Sequence, residues 1–295
     1  MKLCGAKGKP SMAGLQGFDS LPGEGVPHQG KSSPDTQVVL EARNLTKEFA
    51  RGGSVLLAVS DVSLLLKEGE CLGVVGESGC GKSTLVNMLA GLLAPTKGDV
   101  LLDGESVVSA QSRRVAMRKR SRQARKLYRS AQIVFQDPVA SFDPRRTMGY
   151  SLIEGLFNQG IDKAGARAKV LALLEECGLD ESLLSRYPQQ LSGGQCQRAA
   201  IARALSVDPR VLICDEATSS LDVSTQAHFV DLLRRVRASR GMALVFVCHD
   251  LALVAEMCDR VAVMRNGAII ETGATGDVLG NPQHAYTKLL VDSVL

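Results

Sequence analysis

The run from Gly76 to Ser83 reads Gly-Glu-Ser-Gly-Cys-Gly-Lys-Ser, and residues of these types in this order can hold a chain of phosphates. Glycines at the ends, Gly76 and Gly81, let the backbone approach phosphate oxygens closely while successive N–H groups turn inward at a helix start. Lys82 is spaced to reach the β- and γ-phosphates as a point charge. The Ser83 hydroxyl is the hard oxygen that Mg²⁺ prefers. Gly76, Glu77, Ser78, Gly79, Cys80, Gly81, Lys82, Ser83 and Thr84 are therefore expected to line a bound nucleotide. Cys80 adds a thiol whose alkylation is expected to block nucleotide entry.

Two further groups could act on such a ligand. Val211 to Cys214 is an apolar run that delivers Asp215 and Glu216 at its end, the place where open α/β sheets bind ligands. Asp215 would hold Mg²⁺ through its water shell, and Glu216 would orient and deprotonate the water that attacks the γ-phosphate. A helix cap is the plainer use of such an acidic pair. Leu191-Ser192-Gly193-Gly194-Gln195 precedes a helical run from Cys196 to Leu205 and forms a second anion-seeking helix start, or else a flexible N-cap. One nucleotide rarely needs two such sites.

These residues need strands and helices to carry them. Cys71 to Val75 reads as a short apolar strand ending at Gly76, and Lys82 to Leu93 repeats apolar residues at helical spacing until Pro95. Val38 to Ala42 and Val55 to Leu66 read as strands near a sheet edge, and Ile133 to Phe135 as a buried strand. Pro138 to Pro144 is turn-rich, Ala164 to Cys177 is strongly helical, and Gln136 to Leu205 as a whole reads as helical. Strands return at Val211 to Cys214 and Ala243 to Val247 around a helical stretch from Thr225 to Ser239, the alternation that builds a parallel sheet. Asn266-Gly267 between Val261 to Met264 and Ala268 to Glu271 signals a type I′ hairpin, and Pro282 to Leu295 a short terminal helix.

Composition narrows the class. The 295 residues are 45% hydrophobic and 22% charged, an ordinary globular balance, and the net charge of +4 is low for a nucleic-acid binder. No run approaches the roughly 18 apolar residues of a membrane-spanning helix; Met242 to Cys248 is strand-sized. Residues up to Asp35 are rich in Gly, Pro, Ser and Lys and read as a disordered tail. Eight cysteines without a CxxC pair suit a reduced cytosolic compartment. Arg113 to Arg129 holds nine Lys or Arg and no acid; it reads as a solvated helix, or as a face drawn to anionic headgroups or an acidic partner loop.

LSGGQ placed between a phosphate loop and the Val-Leu-Ile-Cys-Asp-Glu strand resembles the signature of the ABC transporter ATPases, over about Val38 to Glu271. The resemblance implies an α/β P-loop NTPase with a RecA-like core, an antiparallel β subdomain and an inserted α-helical subdomain at about 136–205. The cassette would span 37–271, between a disordered tail at 1–36 and a short helical extension at 272–295. It further implies that two cassettes pair head to tail, so that Ser192, Gly193, Gly194 and Gln195 touch ATP held by the partner. Phe49 resembles the aromatic that stacks on adenine, and Gln136 the lid glutamine that senses Mg²⁺ and the membrane subunits. Asp222 resembles the residue that communicates across the dimer, and His249 the histidine that contacts the γ-phosphate. On this reading Glu216, His249, Lys82 and Gln136 are catalytic, Ser83, Gln136 and Asp215 serve the metal, and ATP and Mg²⁺ are the cofactors.

Phe135-Gln136-Asp137-Pro138, then Ser141 to Arg145, and Asn281-Pro282 with His284 to Thr287, resemble the oligopeptide, dipeptide and nickel importer group. Phe142 and Ala285 depart from the Leu and Pro more usual there, which leaves peptide against nickel or another metal chelate open. The implied partners are a second ATPase subunit, as a paralogous heterodimer or a homodimer, two transmembrane permease subunits and an extracytoplasmic solute-binding protein. Nucleic acid is not among them, and the expected location is the cytoplasmic face of the inner membrane, peripherally bound. The iron-sulfur cysteine cluster of some peptide-importer ATPases is missing, so no such cofactor is expected. The rival from another class, a soluble ABC ATPase acting on DNA or the ribosome, would carry long coiled-coil inserts or a second cassette.

Overall fold

The computed structural model describes residues 37–51, 54–110, 117–219 and 221–293, so the expected tail and Arg113 to Ala116 of the basic run lie outside the described residues. The chain opens with β1 (Val38–Arg51), β2 (Ser54–Lys67), β3 (Cys71–Val75), α1 (Lys82–Leu89), β4 (Lys97–Leu102) and β5 (Glu105–Ser109). Strands β2, β1, β4 and β5 lie in that order in an all-antiparallel sheet. Strand β1 is much longer than the Val38 to Ala42 reading. The left-handed Asn44 (φ 49°) absorbs a register shift, and the ladder resumes to Arg51. The β4–β5 hairpin was not anticipated, although Asp103-Gly104, at φ 51° and 75°, forms its turn with the residues such a hairpin favours.

Next come α2 (Met117–Ser130), β6 (Ala131–Val134), α3 (Met148–Phe157), α4 (Lys163–Glu176) and α5 (Gly193–Leu205). Helices α3, α4 and α5 pack on one another. Thr147 and Asp162 start α3 and α4 by accepting from the N–H groups of Tyr150 and Gly165. The chain then runs through β7 (Val211–Asp215), α6 (Val223–Arg240), β8 (Ala243–Val247), α7 (Leu251–Met257), β9 (Arg260–Arg265), β10 (Ala268–Ala274), α8 (Thr275–Gly280) and α9 (Ala285–Asp292). The second sheet has the order β10-β9-β3-β8-β7-β6, parallel except for the β9–β10 hairpin.

Every residue of β3, β7 and β8 is buried, as a parallel sheet covered on both faces requires. Alternate residues divide the core into two halves. Leu212, Cys214, Leu244 and Phe246 join the helical side; Val211, Ile213, Ala243 and Val245 join α1 and the antiparallel sheet. Helix α1 stops at Leu89 rather than Leu93 because Gly91 turns left-handed (φ 73°), with its missing Cβ only 2.4 Å from Leu127 of α2. Among the described residues no helix is long and apolar enough to cross a membrane.

Candidate active site

Because β3, β8 and β7 are parallel neighbours, their C-terminal ends bring Gly76, Val247 and Asp215 to one edge of the sheet. The loop after β3 needs its glycines. Gly76 (φ 147°) and Gly81 (φ 110°) would place a Cβ 2.2 Å from the Met264 carbonyl and 2.3 Å from that of Ala58, so the close approach they permit here is to neighbouring strands. Gly79 (φ 80°) has open space and needs only its conformation. The Gly267 N–H donates to the Cys80 carbonyl at 2.9 Å, so the turn of the β9–β10 hairpin braces the loop.

Lys82 is 4% exposed and bends back over the loop, donating to the carbonyls of Gly76 (2.8 Å) and Glu77 (3.0 Å). Its Nζ also lies 3.6 Å from Glu216 Oε1. The Ser83 hydroxyl donates to Asp215 Oδ1 at 3.1 Å. Burial pushes the Asp215 carboxyl above its ordinary range; the Ser83 hydrogen bond opposes this, the charge of Glu216 adds to it, and Lys82 opposes it. Glu216 itself stands at φ 49°, a left-handed conformation that costs a non-glycine residue about 1–2 kcal/mol. Its N–H donates to Val247 O (3.0 Å), and its carbonyl accepts from the N–H (3.1 Å) and hydroxyl (2.9 Å) of Ser219. Gln136 in turn donates to Ser219 Oγ at 3.2 Å, which links it to the Glu216 turn.

A cavity of about 520 Å³ opens over these groups, lined by Phe49, Leu56, Leu57, Ala58, Ser78, Gly79, Gly81, Lys82, Ser83, Thr84, Gln136, Glu216, Asn266 and Gly267. One end is apolar and the other carries the cation, the hydroxyls and the carboxylate. Phe49 is 39% exposed, with Lys47 Nζ 5.2 Å from its ring centre. Leu56 and Leu57 were not foreseen as site residues; their signal is an apolar run, Val55 to Leu57, that does not alternate and stays exposed. Cys80 is 8% exposed and burial raises its thiol pKa, both of which work against the alkylation expected for it.

Other expected site residues lie outside this lining. Asp215 sits beneath Ser83, and exposed His249 follows the end of β8, two residues beyond Val247. Ser192 and Gln195 form a capping box: Ser192 Oγ accepts from the Gln195 N–H (3.2 Å) and Gln195 Oε1 from the Ser192 N–H (3.1 Å). Asp222 caps α6, accepting from the Thr225 N–H (2.9 Å) and hydroxyl (2.7 Å). Gly194 packs beside the same Thr225, its missing Cβ 2.8 Å from Cγ2, whereas a Cβ on Gly193 would meet nothing within 4 Å. These residues form a second cluster, exposed at Ser192, Gly193 and Asp222 and half-buried at Gly194, Gln195 and Thr225. Fully buried Gln197 joins the two by donating from α5 to the Ala217 carbonyl at 2.6 Å, immediately after Glu216.

A glycine loop between a parallel strand and a helix, with Lys and Ser at the helix start and a carboxylate pair on a nearby strand, defines a P-loop nucleoside triphosphatase. Residues 59–219 match the sequence model described as ABC transporter. The chain is 40% identical over 262 residues to the oligopeptide transport ATP-binding protein OppF of Salmonella typhimurium, covering 88% of this chain and 76% of the relative. Against OppF of Bacillus subtilis it is 39% identical, over 88% and 83% of the two chains. Among solved structures, the ATP-binding cassette MJ0796, dimeric in a post-hydrolysis state with ADP and Pi, superposes with a TM-score of 0.71 at 28% identity, over 80% of this chain and 98% of that one. The structure of cbiO1 from Clostridium perfringens, part of the ABC transporter complex cbiONQ, gives 0.70 at 28% identity, over 83% and 92%. The chain belongs to the ABC transporter family, in the group of the oligopeptide importer ATPases.

Proposed function

We propose that this chain hydrolyses ATP to drive the import of oligopeptides, as one of two paired cassettes bound to two permease subunits at the cytoplasmic face of the membrane. The observation that carries this reading is the division of the site. Phe49, Ser78, Gly79 and Gly81 of the phosphate loop, Lys82, Ser83, Gln136 and Glu216 share one cavity, while Ser192 to Gln195 lie outside it, exposed at Ser192 and Gly193 and half-buried at Gly194 and Gln195. A nucleotide held in the cavity lacks a cover, and the exposed cluster of a second cassette supplies one. The chain's similarity to oligopeptide transport ATP-binding proteins supports oligopeptides as the cargo.

Each residue then has a task. Phe49 stacks on the purine, with Leu56 and Leu57 closing the apolar end. The loop N–H groups and Lys82 hold the phosphates, so that charge developing in the transition state meets donors already in place. Glu216, pinned in its turn by Val247 and Ser219, takes the proton of the attacking water. Ser83, Asp215 and Gln136 offer the oxygen-rich set that Mg²⁺ prefers, with a hydroxyl already 3.1 Å from a buried carboxylate. Bound there, Mg²⁺ would neutralise phosphate charge. His249 contacts the γ-phosphate, and Asp222 acts across the paired interface. An extracytoplasmic solute-binding protein delivers the cargo. The reading is tested by purifying the assembled complex and measuring its ATPase with candidate binding proteins. Stimulation by a peptide-loaded protein is expected; stimulation by a nickel-loaded one alone, or association with ribosomes or DNA, would overturn it.

A further inference from the structure

Among the described residues, the backbone of the phosphate loop is hydrogen-bonded to one side chain far away in sequence. The backbone N–H of Glu77 donates to the hydroxyl of Tyr286 at 3.0 Å, and the Glu77 carbonyl accepts from Lys82 Nζ at 3.0 Å and from the Cys80 N–H at 3.3 Å. Both backbone polar groups of Glu77 are therefore fixed. Tyr286 is 3% exposed, and the guanidinium of Arg265, at the end of β9, lies 4.7 Å from its ring centre. Its helix is itself anchored. Glu271 on β10 accepts from the N–H groups of Gln283 (2.8 Å) and His284 (3.0 Å), and His284 Nδ1 accepts from the Tyr286 N–H (3.0 Å), capping α9.

A loop whose glycines sit at φ 147°, 80° and 110° has no ladder of its own to hold it open for an anion. Among the described residues its outside braces are the Gly267 N–H on Cys80 and the Tyr286 hydroxyl on Glu77. We propose that Tyr286 is a positioning residue for ATP: its hydroxyl sets the first peptide of the loop so that the N–H groups and Lys82 that follow meet the phosphates without rearrangement. Preorganisation of this kind raises affinity by lowering the ordering cost of binding. The inference rests on the reading that this loop binds ATP, and it gives the His284 to Thr287 segment a task in the nucleotide site rather than in cargo recognition.

The test uses the full chain, with a fluorescent ATP analogue titrated in Mg²⁺ and hydrolysis measured in the assembled complex. Y286F removes only the hydroxyl, and loss of one hydrogen bond is expected to raise Kd and KM for ATP about three- to tenfold. Turnover at saturating ATP should match wild type, and the melting temperature of the nucleotide-free protein should fall only by about 2–4 °C, the cost of one hydrogen bond. Y286L, which also removes the ring beneath Arg265, should lower the melting temperature further. Wild-type affinity in Y286F, or weaker binding accompanied by an equal fall in turnover or by a fall in melting temperature as large as that of Y286L, would overturn the proposal. Failure of the wild-type chain to bind ATP would instead refute the reading of the loop, a separate outcome.

Discussion

Replacing Glu216 with Gln probes the chemical step while keeping the shape of the side chain. A positioned general base contributes about 10²- to 10⁴-fold to turnover, equivalent to about 2.7–5.4 kcal/mol on the barrier. The Lys82 to Glu216 separation of 3.6 Å sets the cost to the resting protein. At an effective dielectric of about 20 the gross attraction is about 4.6 kcal/mol. Desolvation of the pair offsets most of it, leaving a net of about 1 kcal/mol. Lys82 also keeps its bonds to the Gly76 and Glu77 carbonyls, so the nucleotide-free variant should melt only about 2–4 °C lower. Removing a negative charge from the phosphate end of the cavity should leave ATP affinity equal or tighter. Phosphate release, ATP titration and a melting curve on the same preparation separate these effects. Turnover within tenfold of wild type, with ATP still bound, would refute Glu216 as the base.

Loss of the ring in F49A should weaken ATP about 5- to 100-fold, the scale of one base–aromatic stack, with turnover at saturation retained; unchanged affinity by calorimetry would remove Phe49 from the site. Asp215 holds its proton more tightly folded than unfolded, so its contribution to stability falls as pH rises above its ordinary value of 3.8 through the raised one. D215N should flatten that part of the melting-temperature profile, raise the melting temperature of the nucleotide-free protein at neutral pH, and abolish Mg²⁺-dependent hydrolysis. An unchanged profile would contradict the burial argument. S192R should leave ATP binding by this chain intact and stop hydrolysis in the assembled pair; normal hydrolysis would exclude the cluster at Ser192 from the partner's site.

What could be read from the sequence was chemistry carried by short neighbouring runs. The loop from Gly76 to Ser83, the Asp215-Glu216 pair and the helix start at Ser192 each lie within a few residues, and local backbone geometry accounts for their form. The Asn266-Gly267 turn was legible for the same reason, with φ of 49° and 82° as a type I′ turn demands. Extents were harder to read. The length of β1 depends on a left-handed Asn44 and on β2 continuing beside it, and the end of α1 depends on α2 pressing against Gly91. Contacts across the fold were not legible at all. Ser219 joins Gln136 to the Glu216 turn, Gln197 reaches Ala217, and Tyr286 meets Glu77 from 209 residues away. No local pattern marks any of these, because tertiary packing alone brings the partners together.

The most direct measurement of the central claim is uptake. Proteoliposomes containing this chain, its paired cassette and the permease subunits, supplied with a peptide-loaded binding protein, should accumulate labelled oligopeptide only when MgATP is present on the cassette side. E216Q should abolish the accumulation. Hydrolysis of ATP without accumulation of peptide, or peptide uptake undiminished in E216Q, would contradict the claim that this cavity powers import.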